Sequence, residues 1–126
     1  MFRWLVIPGV LAGFMLHAYT CLILPAGGPD AFTSGLFALS ILPYLACLVA
    51  SMRHSRGPLM AACAIAPLLL MDSLAFHEAI IAPSTSTSPL VLLVVPVIDL
   101  VVLLLSFLVG WVAFPLLRRS ARGGTL

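Results

Sequence analysis

The chain has 126 residues, of which 63% are hydrophobic and only 8% are charged. A soluble domain carries about 25% charged residues, so this composition excludes a soluble globular domain and predicts a protein of the lipid bilayer. The formal net charge of +2 at pH 7 is too small to indicate a nucleic-acid partner.

Four apolar runs are each long enough to cross a bilayer, whose hydrocarbon core of about 30 Å needs roughly 20 residues of helix. They predict transmembrane helices over residues 4–24, 31–52, 58–82 and 90–117. The three connections are short and consist of turn-forming residues, which favours antiparallel neighbours. The predicted fold is therefore all-α: a multi-pass membrane protein built as a four-transmembrane-helix antiparallel bundle. It forms a single membrane domain over residues 1–126, with residues 118–126 as a basic tail.

The first span carries small residues and a histidine on one face. Gly9, Gly13 and His17 follow one another at a spacing of four, which predicts a close-packed face leading to the histidine. A cleaved signal peptide is the alternative for this segment, since an arginine precedes the apolar run and small residues follow it. We interpret it as a retained helix because its run of about 21 residues exceeds the 7–15 residues of a signal core.

The other spans carry comparable stripes of small and polar residues, which predict the faces that pack inside a membrane bundle. The third span has two neighbouring stripes, one through Asp72 and one through Ser73 and His77. The stripes of the second and fourth spans are Ser40, Tyr44, Cys47 and Ser51, and Pro96, Asp99, Ser106 and Gly110. The presence of such stripes in all four spans predicts that the polar faces point inward.

The arginines predict the orientation, because basic residues near helix ends stay on the cytoplasmic side. They lie before the first span, between the second and third spans, and after the fourth. These residues are Arg3, Arg53, Arg56, Arg118, Arg119 and Arg122. Both termini and the basic tail are therefore expected in the cytoplasm, with the protein in the cytoplasmic or inner membrane.

Three ionisable residues are predicted at one depth in the bilayer. At about 1.5 Å per residue, His17 lies roughly 20 Å from the cytoplasmic edge, Asp72 roughly 21 Å and Asp99 roughly 16 Å. An ionisable group at the bilayer centre costs about 2.5–3.5 kcal/mol on insertion scales and usually marks a partner or a function. A cluster of these three residues is the main candidate site. It would handle protons or cations, or it would only fix the register of the helices.

A metal or haem site receives less support from the sequence. His77 and Glu78 are adjacent, so they point about 100° apart on a helix, and no metal-binding spacing is present. His17 and His77 differ in depth by about 9 Å, which disfavours a haem held between them. With Ser73 and Tyr44, His77 and Glu78 remain secondary polar candidates. No cofactor, no metal ligand and no catalytic residue is predicted.

Three functions follow from these observations. The first is a proton- or cation-handling transport or channel subunit, acting in an oligomer because four helices enclose only a narrow lumen. The second is a non-catalytic accessory or assembly subunit of a larger membrane complex, such as a respiratory or secretion complex. The third is a redox subunit associated with haem or metal. An enzyme is disfavoured because no nucleophile motif and no phosphate-binding loop occurs.

Overall fold

The fold is all-helical, as predicted. A computed structural model describes residues 3–25, 27–83 and 90–123. The helices are α1 (Arg3–Ala18), α2 (Ala31–Arg53), α3 (Gly57–Phe76) and α4 (Val91–Gly123), with π-helical turns over Tyr19–Ile23 and His77–Ile81 that extend α1 and α3.

Four helical segments, which for α1 and α3 include the π-helical turns that follow them, are long and apolar enough to cross a membrane. The segments are Trp4–Ile23, Ala31–Arg53, Gly57–Ile81 and Val91–Val112. Their bounds agree with the first three predicted spans to within one residue at each end. The fourth helix does not end with the predicted span at residue 117, because α4 continues through the basic segment to Gly123. The last three residues of the predicted tail lie outside the described residues.

Local hydrogen bonds define the start of α2 and the turn before α3. Asp30 caps α2: its Oδ1 accepts from the Thr33 backbone N–H at 2.7 Å, and the Thr33 hydroxyl accepts from the Asp30 N–H at 2.9 Å. This reciprocal pair satisfies N–H groups that have no partner inside the helix. The turn into α3 passes so close to α2 that a Cβ on Gly57 would collide with the Ala50 carbonyl.

Helix α3 packs against α1, α2 and α4. The buried apolar cluster between them contains side chains from all four helices. Its members are Val6, Tyr44, Cys47, Ala61, Ala64, Ile65, Leu68 and Leu103. Large apolar side chains such as Leu11, Leu70 and Leu104 are exposed on the outside, which fits contact with lipid.

Glycines allow the helices to approach closely. A Cβ at Gly9 would collide with the Ile65 side chain of α3, and a Cβ at Gly13 would collide with the Tyr44 ring of α2. At Gly110, a Cβ would lie 2.9 Å from the Met60 Cα. The face predicted from Gly9, Gly13 and His17 therefore packs inside the bundle.

The other polar stripes point inward with one exception. All four residues of the α2 stripe are buried, and so are Pro96, Asp99 and Gly110 of α4. In α3 Asp72 is buried, whereas Ser73 is exposed, as is His77 in the π-helical turn that follows. The inward direction expected for the Ser73 stripe is therefore wrong. Adjacent helical residues diverge by about 100°, so α3 cannot bury both stripes in one interface.

Candidate functional site

Three ionisable side chains from three helices meet inside the bundle. His17 Nε2 on α1 lies 3.0 Å from Asp72 Oδ2 on α3. Asp99 on α4 completes the group, in which one potential ligand atom from each residue lies within 4.8 Å of the others. The exposed fractions are 7% for His17, 3% for Asp72 and 0% for Asp99. We call these three residues the His17/Asp72/Asp99 cluster.

The packing of each helix positions its member of the cluster. His17 follows Gly13 by four residues, so the glycine face that brings α1 against Tyr44 also directs the histidine inward. Asp72 follows Leu68 by four residues on the buried face of α3. Asp99 follows Pro96, which is itself fully buried in α4.

Helix α2 contributes Tyr44. Its hydroxyl donates a hydrogen bond to Asp72 Oδ2, the same oxygen that accepts from His17. The His17 and Tyr44 rings also meet edge to face, with centroids 5.8 Å apart. Tyr44 therefore belongs to the site as the donor from the second helix. The sequence indicated it as a secondary polar candidate in the Ser40, Tyr44, Cys47 and Ser51 stripe, and not as a member of the cluster.

Three carboxyl oxygens of the cluster lack a conventional donor. Among the described residues, no donor reaches Asp72 Oδ1, Asp99 Oδ1 or Asp99 Oδ2, although all three atoms are buried. One carboxyl oxygen of Asp72 and one of Asp99 lie within 4.8 Å of each other. Because an ionised carboxylate only accepts, a direct hydrogen bond between the two groups would require a proton on one of them. The arrangement can hold a proton between two carboxyls, or a cation in its place.

A cavity of about 280 Å³ borders the cluster. His17 and Asp72 line its inner end, and all four helices contribute to its walls. The lining includes the C-terminal parts of α1 and α3 and the N-terminal parts of α2 and α4, with Cys21, Phe32, Phe76 and Leu90 among the residues. Polar groups in this largely apolar wall come from Thr20, Thr33 and Ser40.

The opposite side of the cluster is closed by the buried apolar core. Along their helices, Cys47, Leu68 and Leu103 lie between the cluster and the end of the bundle that carries Arg53 and Arg56. Ile65 fills the space against Gly9 in this region. The cluster thus lies where a cavity on one side meets close packing on the other.

The other secondary candidates lie outside the cluster. Ser73 is exposed and donates to the Leu69 carbonyl of its own helix at 2.6 Å. His77 is exposed, and Glu78 is half-buried, both in the π-helical turn after α3. Since His17 bonds to Asp72 and His77 faces outward, the structure does not bring the two histidines together as a haem-binding pair.

Comparisons with known proteins give no match for this chain, whether with protein-family models, with curated sequences or with solved structures. Its function is therefore argued from the geometry of the site.

Proposed function

We propose that this protein is a small proton- or cation-handling membrane transport subunit, in which the His17/Asp72/Asp99 cluster holds the transported charge. One observation carries the proposal: two buried carboxyl groups and a buried histidine meet among four apolar helices, where His17 and Asp72 line the inner end of a cavity. Ionisable groups inside a membrane are costly, and they mark proton and ion pathways in transport proteins.

The charges available to the cluster support this role. The chain has no lysine, and its arginines lie outside residues 4–52 and 57–117. The acids therefore have no permanent cation of their own within the spans. Their charge must be neutralised by His17, by protons or by a bound cation, and the last two are exchangeable.

The cavity and the closed core support a pathway that extends from the cluster towards one end of the bundle. From the cluster, the cavity extends towards residues such as Phe32 and Leu90, whereas Leu68 and Leu103 close the other side. A protein that moves a substrate without leaking must close one side while the other is open. This asymmetry is therefore what one state of a carrier requires.

The proposed orientation places both termini in the cytoplasm, with antiparallel neighbouring helices. It is supported by the arginine distribution and by the alternation of helix ends around the cavity. In this orientation the cavity faces the non-cytoplasmic side, and the closed core faces the cytoplasm.

We further propose that the protein acts as a homo-oligomer or within a larger membrane complex, because four helices alone surround only a narrow site. Its native mass in mild detergent tests this. A mass equal to several copies of the 13.4 kDa chain supports a homo-oligomer. Copurification of different subunits would instead indicate the accessory role that the composition also allows.

Proton flux into liposomes tests the function. The purified protein is reconstituted with a pH-sensitive dye inside, and a pH gradient is applied with sodium, potassium or a divalent cation as the counter-ion. We expect flux well above that of protein-free liposomes. The flux of an Asp99→Asn variant should be at least about tenfold lower than that of wild type, since the amide cannot carry the charge. The matched control is Ser73→Ala, which alters an exposed neighbour of Asp72 and should stay within about twofold of wild type.

Both variants must reach the same native mass and the same amount in the liposomes as wild type. Flux no greater than that of protein-free liposomes with any of the three counter-ions would overturn the proposal. Full flux in Asp99→Asn would show that the transported charge does not depend on the cluster.

A further inference from the structure

We propose that the His17/Asp72/Asp99 cluster is a binding site for one divalent transition-metal ion of the Zn²⁺ type. This deepens the proposed function by naming the cation, and it depends on that function only for the step of transport. The binding site itself is argued from the ligands, their separations and their charges.

The donor set matches this class of ion. An imidazole nitrogen and two carboxylate oxygens are ligands that zinc and related ions accept, whereas Mg²⁺ and Ca²⁺ prefer oxygen ligands alone. With zinc–ligand distances of about 2.0–2.2 Å, two ligand atoms on one ion lie roughly 3–3.5 Å apart. His17 Nε2 and Asp72 Oδ2 already lie 3.0 Å apart.

The third ligand requires only a small adjustment. The three ligand atoms lie within 4.8 Å of one another, so closing on one ion needs a shift of about 1.5 Å at most. A rotation of one carboxylate side chain covers such a distance. All three residues are more than nine-tenths buried, so an ion bound between them is removed from bulk water.

Asp99 provides an independent indication of a ligand. Its side chain is fully buried, and among the described residues neither oxygen accepts a conventional hydrogen bond. Buried carboxyl groups normally have donors for their oxygens. A cation between Asp99 and Asp72 would coordinate oxygens that the protein itself leaves without a donor.

The surroundings have two further properties of a metal site. Tyr44 donates to Asp72 Oδ2, and hydrogen bonds of this kind orient metal-binding carboxylates. The two carboxylates together balance the charge of a divalent ion, so the occupied site is neutral, as the bilayer interior favours.

The number of ligands favours an exchangeable ion over a structural one. Structural zinc sites are usually closed by four protein ligands, whereas sites with three protein ligands keep one position open. The cavity reaches His17 and Asp72, so an open position there would lead into a space that extends to Phe32 and Leu90. A transported ion needs such a position to enter and leave.

Cobalt binding to the purified full-length protein in mild detergent tests the site. Co²⁺ replaces Zn²⁺ in similar ligand sets and absorbs visible light when it is bound with few ligands. We expect one Co²⁺ per chain, displaced by Zn²⁺, and binding weakened at least about tenfold in Asp99→Asn and in His17→Gln. The matched control is His77→Gln, which removes an exposed histidine outside the cluster and should leave binding within about twofold of wild type.

Each variant is compared with wild type by native mass and circular dichroism, so that loss of binding is not loss of fold. Should neither Asp99→Asn nor His17→Gln weaken binding, or should His77→Gln abolish it, the proposed site is wrong. Absence of binding to wild type also overturns it. Proton flux in sodium or potassium buffer without metal binding would overturn the metal site alone. Metal binding without flux of any ion would overturn the proposed transport function and would still support the metal site.

Discussion

At the scale of single residues, Asp72 connects the polar groups of four helices. Its Oδ2 accepts from His17 on α1 and from Tyr44 on α2, and one of its oxygens lies within 4.8 Å of an Asp99 oxygen on α4. Each of these groups is buried in an apolar bundle. Removal of one donor should therefore lower the free energy of unfolding more than a similar change on the exposed surface.

Tyr44→Phe isolates the contribution of one donor. It removes the hydroxyl that bonds to Asp72 and keeps the ring that packs against Gly13. We expect a loss of about 1–2 kcal/mol in the free energy of unfolding, the range found for hydrogen bonds to buried or charged groups. Unfolding in mixed micelles by increasing denaturing detergent measures it.

Tyr19→Phe is the matched control, because Tyr19 is exposed and its ring contacts Phe76 edge to face. The same loss of a hydroxyl there should change the unfolding free energy by less than about 0.5 kcal/mol. Equal effects in the two variants would contradict the importance assigned to the bond between Tyr44 and Asp72.

Much of the cluster could be predicted from the sequence, because depth follows from counting residues along a helix. The constant rise per residue of an α-helix predicted similar depths in the bilayer for His17, Asp72 and Asp99. Helix rotation about its axis does not follow from such counting, so the contact between them was a hypothesis. For the same reason Tyr44 was only a secondary candidate and its bond to Asp72 was not predicted, since a stripe shows which face is buried without showing which residue reaches a partner.

At the scale of helices, alanine substitutions at Gly13 and at Gly35 test close packing, with the second serving as the control for the first. Gly13→Ala places a Cβ against the Tyr44 ring, and we expect it to destabilise the protein by about 1–3 kcal/mol, as overpacking does. Gly35→Ala, where no atom lies within 4 Å of the added Cβ, should stabilise α2 by up to about 1 kcal/mol. The measurement is again unfolding in mixed micelles. Two changes of the same sign would argue against the packing of α1 on Tyr44.

The start of α2 should respond to acid. The Thr33 amide and hydroxyl donate to the Asp30 carboxylate, and these bonds lower the pKa of Asp30 below its ordinary value. A lowered pKa stabilises the folded state above the ordinary pKa, and that contribution disappears as pH falls through the lowered value. Amide hydrogen exchange in the first turn of α2 should therefore accelerate, relative to its intrinsic rate, below about pH 4.

Asp30→Asn is the control for this acid effect. Its side-chain oxygen can still cap the helix, but it does not titrate. The first turn of the variant should keep the same relative protection between pH 6 and pH 3. A parallel loss of protection in both proteins would assign the acid effect to another group.

The positions of the helices were predictable, and their irregular ends were not. Long apolar runs bounded by glycine, proline and arginine determine where a span begins and ends, which explains the agreement for the first three spans. The π-helical turns over Tyr19–Ile23 and His77–Ile81 have no composition that distinguishes them from regular helix. They change the direction of the side chains that follow. The faces assigned beyond Ala18 and Phe76 from a regular period were therefore unreliable.

At the scale of the whole molecule, the arginine distribution makes the orientation testable. Single cysteines are introduced at Gly27 and at Ser55, both exposed in connections between helices, after Cys21, Cys47 and Cys63 are replaced by alanine. A membrane-impermeant maleimide should label Ser55→Cys only from the cytoplasmic side and Gly27→Cys only from the opposite side. The cysteine-free parent should remain unlabelled, and the reverse pattern would invert the proposed orientation.

The distribution of the polar groups along the chain also bears on how the protein is made. His17 and Tyr44 precede Asp72, so both of its donors have been synthesised when the third helix reaches the membrane. Asp99 comes last, in the most apolar of the four membrane-length segments. That helix can enter the bilayer despite its acid, because its other side chains offset the cost of insertion. During synthesis, therefore, both donors to Asp72 are translated before either acid of the cluster enters the bilayer.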